Sequence, residues 1–140
     1  THFFWVPTIC AAMPKEIAKY VDPYYVASFG EFPKLPRERM TLGAEVSPQF
    51  TLAAEELRKQ ALYSDVLDNK TAQLIALALL ISRASAGSYW HAKAARKYGA
   101  SWAELHKVME IAVLMNGVGA MNEGGQALVR LWNEEHAGKA

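Results

Sequence analysis

The chain has 140 residues, 51% of them hydrophobic and 21% charged, with a formal net charge of +1 and one cysteine. That profile describes an ordinary globular domain with enough chain to bury a core. It gives no basic excess for nucleic acid, no intrachain disulfide or Cys-x-x-Cys motif, and no apolar run near the roughly 18 residues that span a bilayer.

Residues 1–47 differ in texture from the rest. They hold five of the six prolines and much of the aromatic content. Short helices are expected at Pro14–Val21 and Pro23–Phe29, each with proline in its first turn. Gly30–Gly43, carrying Pro33 and Pro36, reads as an extended arm. Its aromatics, with Phe3, Phe4 and Trp5, need cover from the helical core or from a neighbouring subunit. No charged leader precedes the first apolar residues, so the cytoplasm is the expected compartment.

From Ser47 onward the pattern is helical, which makes 48–140 the main part of what is expected to be one structural domain. Ser47-Pro48 gives a cap and a first-turn proline, and the following helix should end near Tyr63. Phe50, Leu52, Ala53, Leu57 and Ala61 supply its apolar stripe. Asp68 or Asn69 caps the next helix. Its eight consecutive apolar residues, Leu74 to Ile81, exceed one face and predict an interior element. A small-residue loop, Ser82 to Ser88, leads to a helix capped by Ser88 and closed by Gly99. Ser101-Trp102-Ala103-Glu104 is a capping box, and its helix runs to about Asn116. The turn Asn116-Gly117-Val118-Gly119 opens a last helix ending near Trp132–Glu135. No run alternates as a strand does. The fold class is all-α, a bundle of five to six helices.

His91 is the foremost candidate for chemistry. Three residues after Ser88, it falls in the expected first helical turn, where unpaired N–H groups and the helix dipole favour a neutral ring. Those N–H groups and the Ser88 hydroxyl could hold a carboxylate or enolate oxygen, and Gly87 clears an approach to the backbone. Gln73, the lone amide at the start of the interior helix, could face His91 across the helix pair; a solvent-facing Gln73 and an internally bonded His91 are the plainer alternatives. Trp90 and Asn116 complete the candidate substrate contacts. The four histidines show no paired metal spacing, and Gly117-Val118-Gly119 is only a fragment of a phosphate loop, so no metal and no cofactor are expected.

These residues resemble the carboxymuconolactone decarboxylase family, which includes the alkylhydroperoxidase D-like proteins. The resemblance runs through Leu67-Asp68-x-Lys70-Thr71-x-x-Leu74-Ile75-Ala76-Leu77-Ala78, His91-x-x-x-Ala95-x-x-x-Gly99-Ala100-Ser101, Glu104 and Gly117-x-x-Ala120, over roughly 48–132. It implies an alkylhydroperoxidase D-like bundle that assembles as trimers or hexamers. His91 takes the place of the family histidine. Ala84 and Gly87 stand where the peroxidase branch has its cysteines, and Gln73 best matches its glutamate, so thiol peroxidase chemistry has no nucleophile. The decarboxylating branch keeps the histidine without the cysteine pair. The resemblance therefore implies a cofactor-independent lyase acting on a small carboxylated lactone or related ring-cleavage product. A hydrolase or isomerase of similar oxo-acids, or a non-catalytic oligomeric scaffold, are the alternatives.

Overall fold

The computed structural model describes residues 13–138; Phe3, Phe4, Trp5 and Cys10 lie outside them. The described residues are helical and contain no strand. They divide into two compact units, with the boundary between residues 61 and 62. No helix among them is long and apolar enough to cross a membrane.

In the first unit, α1 (Lys15–Ala18) is followed by a π-helical turn (Asp22–Val26) that runs into α2 (Ala27–Phe29). Gly30 ends this segment at φ +81°, a conformation that costs glycine little. Next comes α3 (Lys34–Val46), where the sequence reading had placed an extended arm. The prolines misled that reading. Pro33 is the cap residue and Pro36 the third helical residue, and first-turn N–H groups have no intrahelical acceptor, so a missing one is tolerated. α4 (Pro48–Leu62) follows after Ser47. A Cβ on Gly43 would collide with the Thr51 side chain, so the glycine permits close approach of α3 and α4.

The apolar stripe expected to bury α4 faces outward. Phe50 and Leu57 are 73% and 70% exposed, and Ala53 and Ala61 are exposed too. The buried residues of this helix are Thr51 and Glu55. Glu55 is held by two partners: the Tyr25 hydroxyl donates to Oε1 at 2.7 Å and the Arg39 guanidinium to Oε2 at 2.9 Å. Arg39 also donates to the Tyr25 oxygen at 3.1 Å, and the Arg58 guanidinium sits 4.0 Å from the Tyr25 ring centroid. A buried carboxylate is tolerable when its lone pairs are used in this way.

The second unit is a four-helix bundle of α5 (Asn69–Ser82), α6 (Gly87–Lys97), α7 (Trp102–Asn116) and α8 (Gly119–Glu135). α5 and α7 run parallel: Lys70 pairs with Glu104 at their N-terminal ends, and Asn116 donates to Ser82 at their C-terminal ends. Asp68 caps α5 by accepting from the Thr71 N–H, and Ser101 with Glu104 forms the reciprocal capping box on α7. Gly99, at φ +102°, ends the α6 turn. The core gathers Leu77, Ile81, Tyr89, Ala92, Ala95, Leu105, Met109, Leu128 and Leu131. Gly124 lets α8 approach: a Cβ there would stand 2.8 Å from Met109 Cγ and 3.1 Å from Ile81 Cγ2.

α5 is not enclosed all round, contrary to the expectation from its apolar run. Ala72, Gln73, Leu77 and Ile81 are buried, while Ile75 and Leu79 are 45% and 64% exposed. One side of the run builds the core. The other is an apolar surface continued on the parallel α7 by Ile111, Leu114 and Met115, at 52%, 79% and 76% exposure.

Candidate functional site

Gln73 and His91 meet. Gln73 is 0% exposed on the inner face of α5, and its Oε1 lies 2.7 Å from Nδ1 of the half-buried His91 ring on α6. An amide oxygen only accepts, so Nδ1 carries the hydrogen and the lone pair of a neutral ring falls on Nε2. The same Nδ1–H donates equally well when the ring is protonated. Gln73 thus assigns every titration of the ring to Nε2. The other end of the amide is strained in a different sense. Gln73 Nε2 is buried and has no hydrogen-bond partner among the described residues, an arrangement that costs about 1–3 kcal/mol.

The start of α6 departs from expectation. Its first residue is Gly87 and its cap is Ala86, so Ser88 lies inside the helix and does not cap it. Ser85 does the work near this end: its Oγ accepts from the Gly87 N–H at 3.1 Å and its carbonyl from the Ser88 N–H at 3.1 Å. These donors are therefore unavailable to an anion. His91 is moved into the second turn, where the dipole effect has largely faded. The Gln73 side chain holds the ring at Nδ1. The small size of Gly87 serves the turn, since a Cβ there would stand 3.3 Å from Ser85 Oγ. Ala84 in the preceding loop has φ +54°, alone among the described non-glycine residues in taking a positive value.

Ser88, 4% exposed, opens instead on a cleft of about 310 Å³ between the start of α6 and one face of α8. Its other walls include Ser85, Tyr89, Glu123, Gln126 and Arg130. Arg130 lies 3.6 Å from the Tyr89 ring centroid, and the Tyr89 hydroxyl donates to the Glu134 carboxylate at 2.6 Å. Gln126 and Arg130 escaped the sequence reading, because polar residues on an amphipathic helix look like a solvated face.

Trp90 packs edge-on against Tyr89, with ring centroids 5.0 Å apart, and the Lys93 ammonium lies 5.2 Å from its centroid. Asn116 is not part of this constellation. Its Nδ2 donates to Ser82 Oγ at 2.8 Å and to the Ala112 carbonyl at 2.9 Å. Ser82 is nine residues beyond Gln73, about 13 Å along α5 at 1.5 Å per residue. Asn116, expected as a substrate contact, ties helix ends together instead.

The carboxymuconolactone decarboxylase family model matches residues 48–129, and the chain belongs to that family. A crystal structure of a candidate carboxymuconolactone decarboxylase from Burkholderia xenovorans LB400 superposes with a TM-score of 0.71 at 26% identity, covering 90% of this chain and 98% of that one. No curated protein matches the chain significantly.

Proposed function

We propose that this chain is a cofactor-independent lyase that decarboxylates a small carboxylated lactone or a related ring-cleavage product, with His91 as proton donor and acceptor. Gln73 acts as a positioning residue. In this reading the C–C bond to the carboxylate breaks, carbon dioxide leaves, and the electron pair remains on carbon as a dienolate. Nε2 of the protonated His91 ring delivers a proton to that carbon, and the ring regains one from solvent. Gln73 keeps Nδ1–H fixed throughout.

The observation that carries the reading is the 2.7 Å bond between a fully buried amide and a half-buried ring. As core packing the amide is a poor choice, because leucine would fill the space without an orphaned donor. Beside a titrating ring it has a use. Family membership supports a decarboxylase-like reading. Thiol peroxidase chemistry is disfavoured, since Ala84 and Gly87 stand at the cysteine positions.

Carboxymuconolactone is the first substrate to try. Release of carbon dioxide without added cofactor is the expected result. Ring opening or isomerisation with all carbons retained would move the assignment to the hydrolase or isomerase alternative, and no turnover of lactones or oxo-acids would leave a scaffold.

The same reading includes self-association in the cytoplasm, as a trimer or hexamer. What supports it is the apolar surface left on α5 and α7 by Leu79, Leu114 and Met115 and on α4 by Phe50 and Leu57, of the kind that association covers. Light scattering at micromolar concentration should give a multiple of 15.5 kDa; a monomer there would overturn it.

A further inference from the structure

The Ser88 cleft is separate from the His91–Gln73 pair. Tyr89 and His91 are two residues apart on α6, so their side chains leave the helix about 200° apart. Tyr89 carries the Arg130 guanidinium and the Glu134 carboxylate of α8, while His91 faces α5. His91 is not among the cleft's lining residues.

The cleft's chemistry is unusually two-ended. Glu123, Gln126 and Arg130 occupy successive turns of one face of α8. Glu123 and Arg130 are seven residues apart, about 10 Å along the helix axis. Arg130 is held flat on the Tyr89 ring and has a 3.6 Å contact to Glu134, yet its side chain remains 59% exposed and can serve another acceptor. Ser88, a residue 4% exposed, lines the same cleft and brings it a hydroxyl. Ala84, Ala86 and Ala127 keep the remaining walls small. At about 30 Å³ per water in the liquid, the volume admits roughly ten non-hydrogen atoms. A simple anion would meet Glu123 and a simple cation would meet Arg130. A molecule with a carboxylate at one end and a hydrogen-bond donor at the other satisfies both.

We propose that this cleft is a binding site for a small hydroxy- or amino-carboxylate, its carboxylate on Arg130 and the Ser88 hydroxyl and its donor end on Glu123 and Gln126. The guanidinium offers a planar fork to the carboxylate. The Ser88 hydroxyl can donate to a carboxylate oxygen.

The test is calorimetric titration of the full chain with 4-hydroxybutyrate, 4-aminobutyrate and butyrate. Saturable binding of one or both bifunctional acids, with butyrate at least about tenfold weaker, is expected, and which of the two binds better assigns the donor as hydroxyl or ammonium. Arg130→Met should weaken binding at least about tenfold and Ser88→Ala several-fold, with helical circular dichroism unchanged. His91→Ala should leave it unaltered, which keeps this site distinguishable from the proposed lyase centre. Absence of saturable binding, butyrate binding as tightly as the others, or an affinity indifferent to both Arg130→Met and Ser88→Ala would overturn the proposal.

Discussion

Replacing Gln73 with leucine is expected to lower kcat about a hundredfold, within the range a positioned acid–base group contributes, while KM changes little. His91→Ala should remove turnover altogether. The reasoning is atomic. With the Gln73 oxygen gone, Nδ1–H loses its acceptor at 2.7 Å, and the ring is released to the tautomer whose Nε2 holds the hydrogen and cannot accept one. Stability should move the other way. Gln73→Leu deletes a buried donor that has no partner among the described residues, so the thermal midpoint should stay level or rise. Falling turnover with unchanged or rising stability is what a merely structural amide would not produce. Gln73→Glu keeps an acceptor at the same place and should recover much of the rate. Its carboxylate favours the imidazolium that donates the proton, so the alkaline limb of the pH–rate profile should shift to higher pH. Wild-type kcat in Gln73→Leu would refute the positioning role, and wild-type kcat in His91→Ala would refute the lyase centre itself.

Much of the second unit was legible because its signals are local. Ser101 and Glu104 announce the start of α7 and Gly117 its end, and the helix occupies Trp102–Asn116 as expected. Asp68 opens α5 in the same way. The Gln73–His91 pair was legible as an anomaly, a lone amide in an apolar helix and a ring at the matching position of the next. What failed depends on distance in sequence or on context. Pro33 and Pro36 read as breakers, yet both fall where α3 does not need their N–H groups. Ser88 has a good cap's chemistry, but Ser85 takes the bonds and the helix begins earlier. The α4 stripe was assigned inward on the rule that apolar residues are buried. That rule looks only at α4. It cannot know that Tyr25 and Arg39, thirty and sixteen residues away, draw Glu55 inward instead.

That inverted helix carries the second large effect. Arg39→Met is expected to destabilise the fold by about 3 kcal/mol, the scale on which an uncompensated buried charge is felt. The asymmetry of exposure decides the sign of the comparison. Arg39 is 51% exposed and Glu55 only 2%. Losing Arg39 strands a buried carboxylate on the Tyr25 hydroxyl alone, whereas losing the charge of Glu55 leaves a guanidinium that water can reach. Glu55→Gln, which still offers Tyr25 an acceptor, should therefore cost only about 1 kcal/mol. Burial, opposed by Arg58 and reinforced by Glu55, pushes the Tyr25 hydroxyl from 10.0 up to about 12. A raised folded value means that its share of stability is complete below pH 10 and disappears as pH climbs from 10 to 12. Urea unfolding at pH 7 would rank the variants, and the double variant Arg39→Met/Glu55→Leu should cost less than the two single changes together, because no charge is then left unpaired. If Arg39→Met proved no more damaging than Glu55→Gln, the carboxylate would not be the group that this cluster exists to hold.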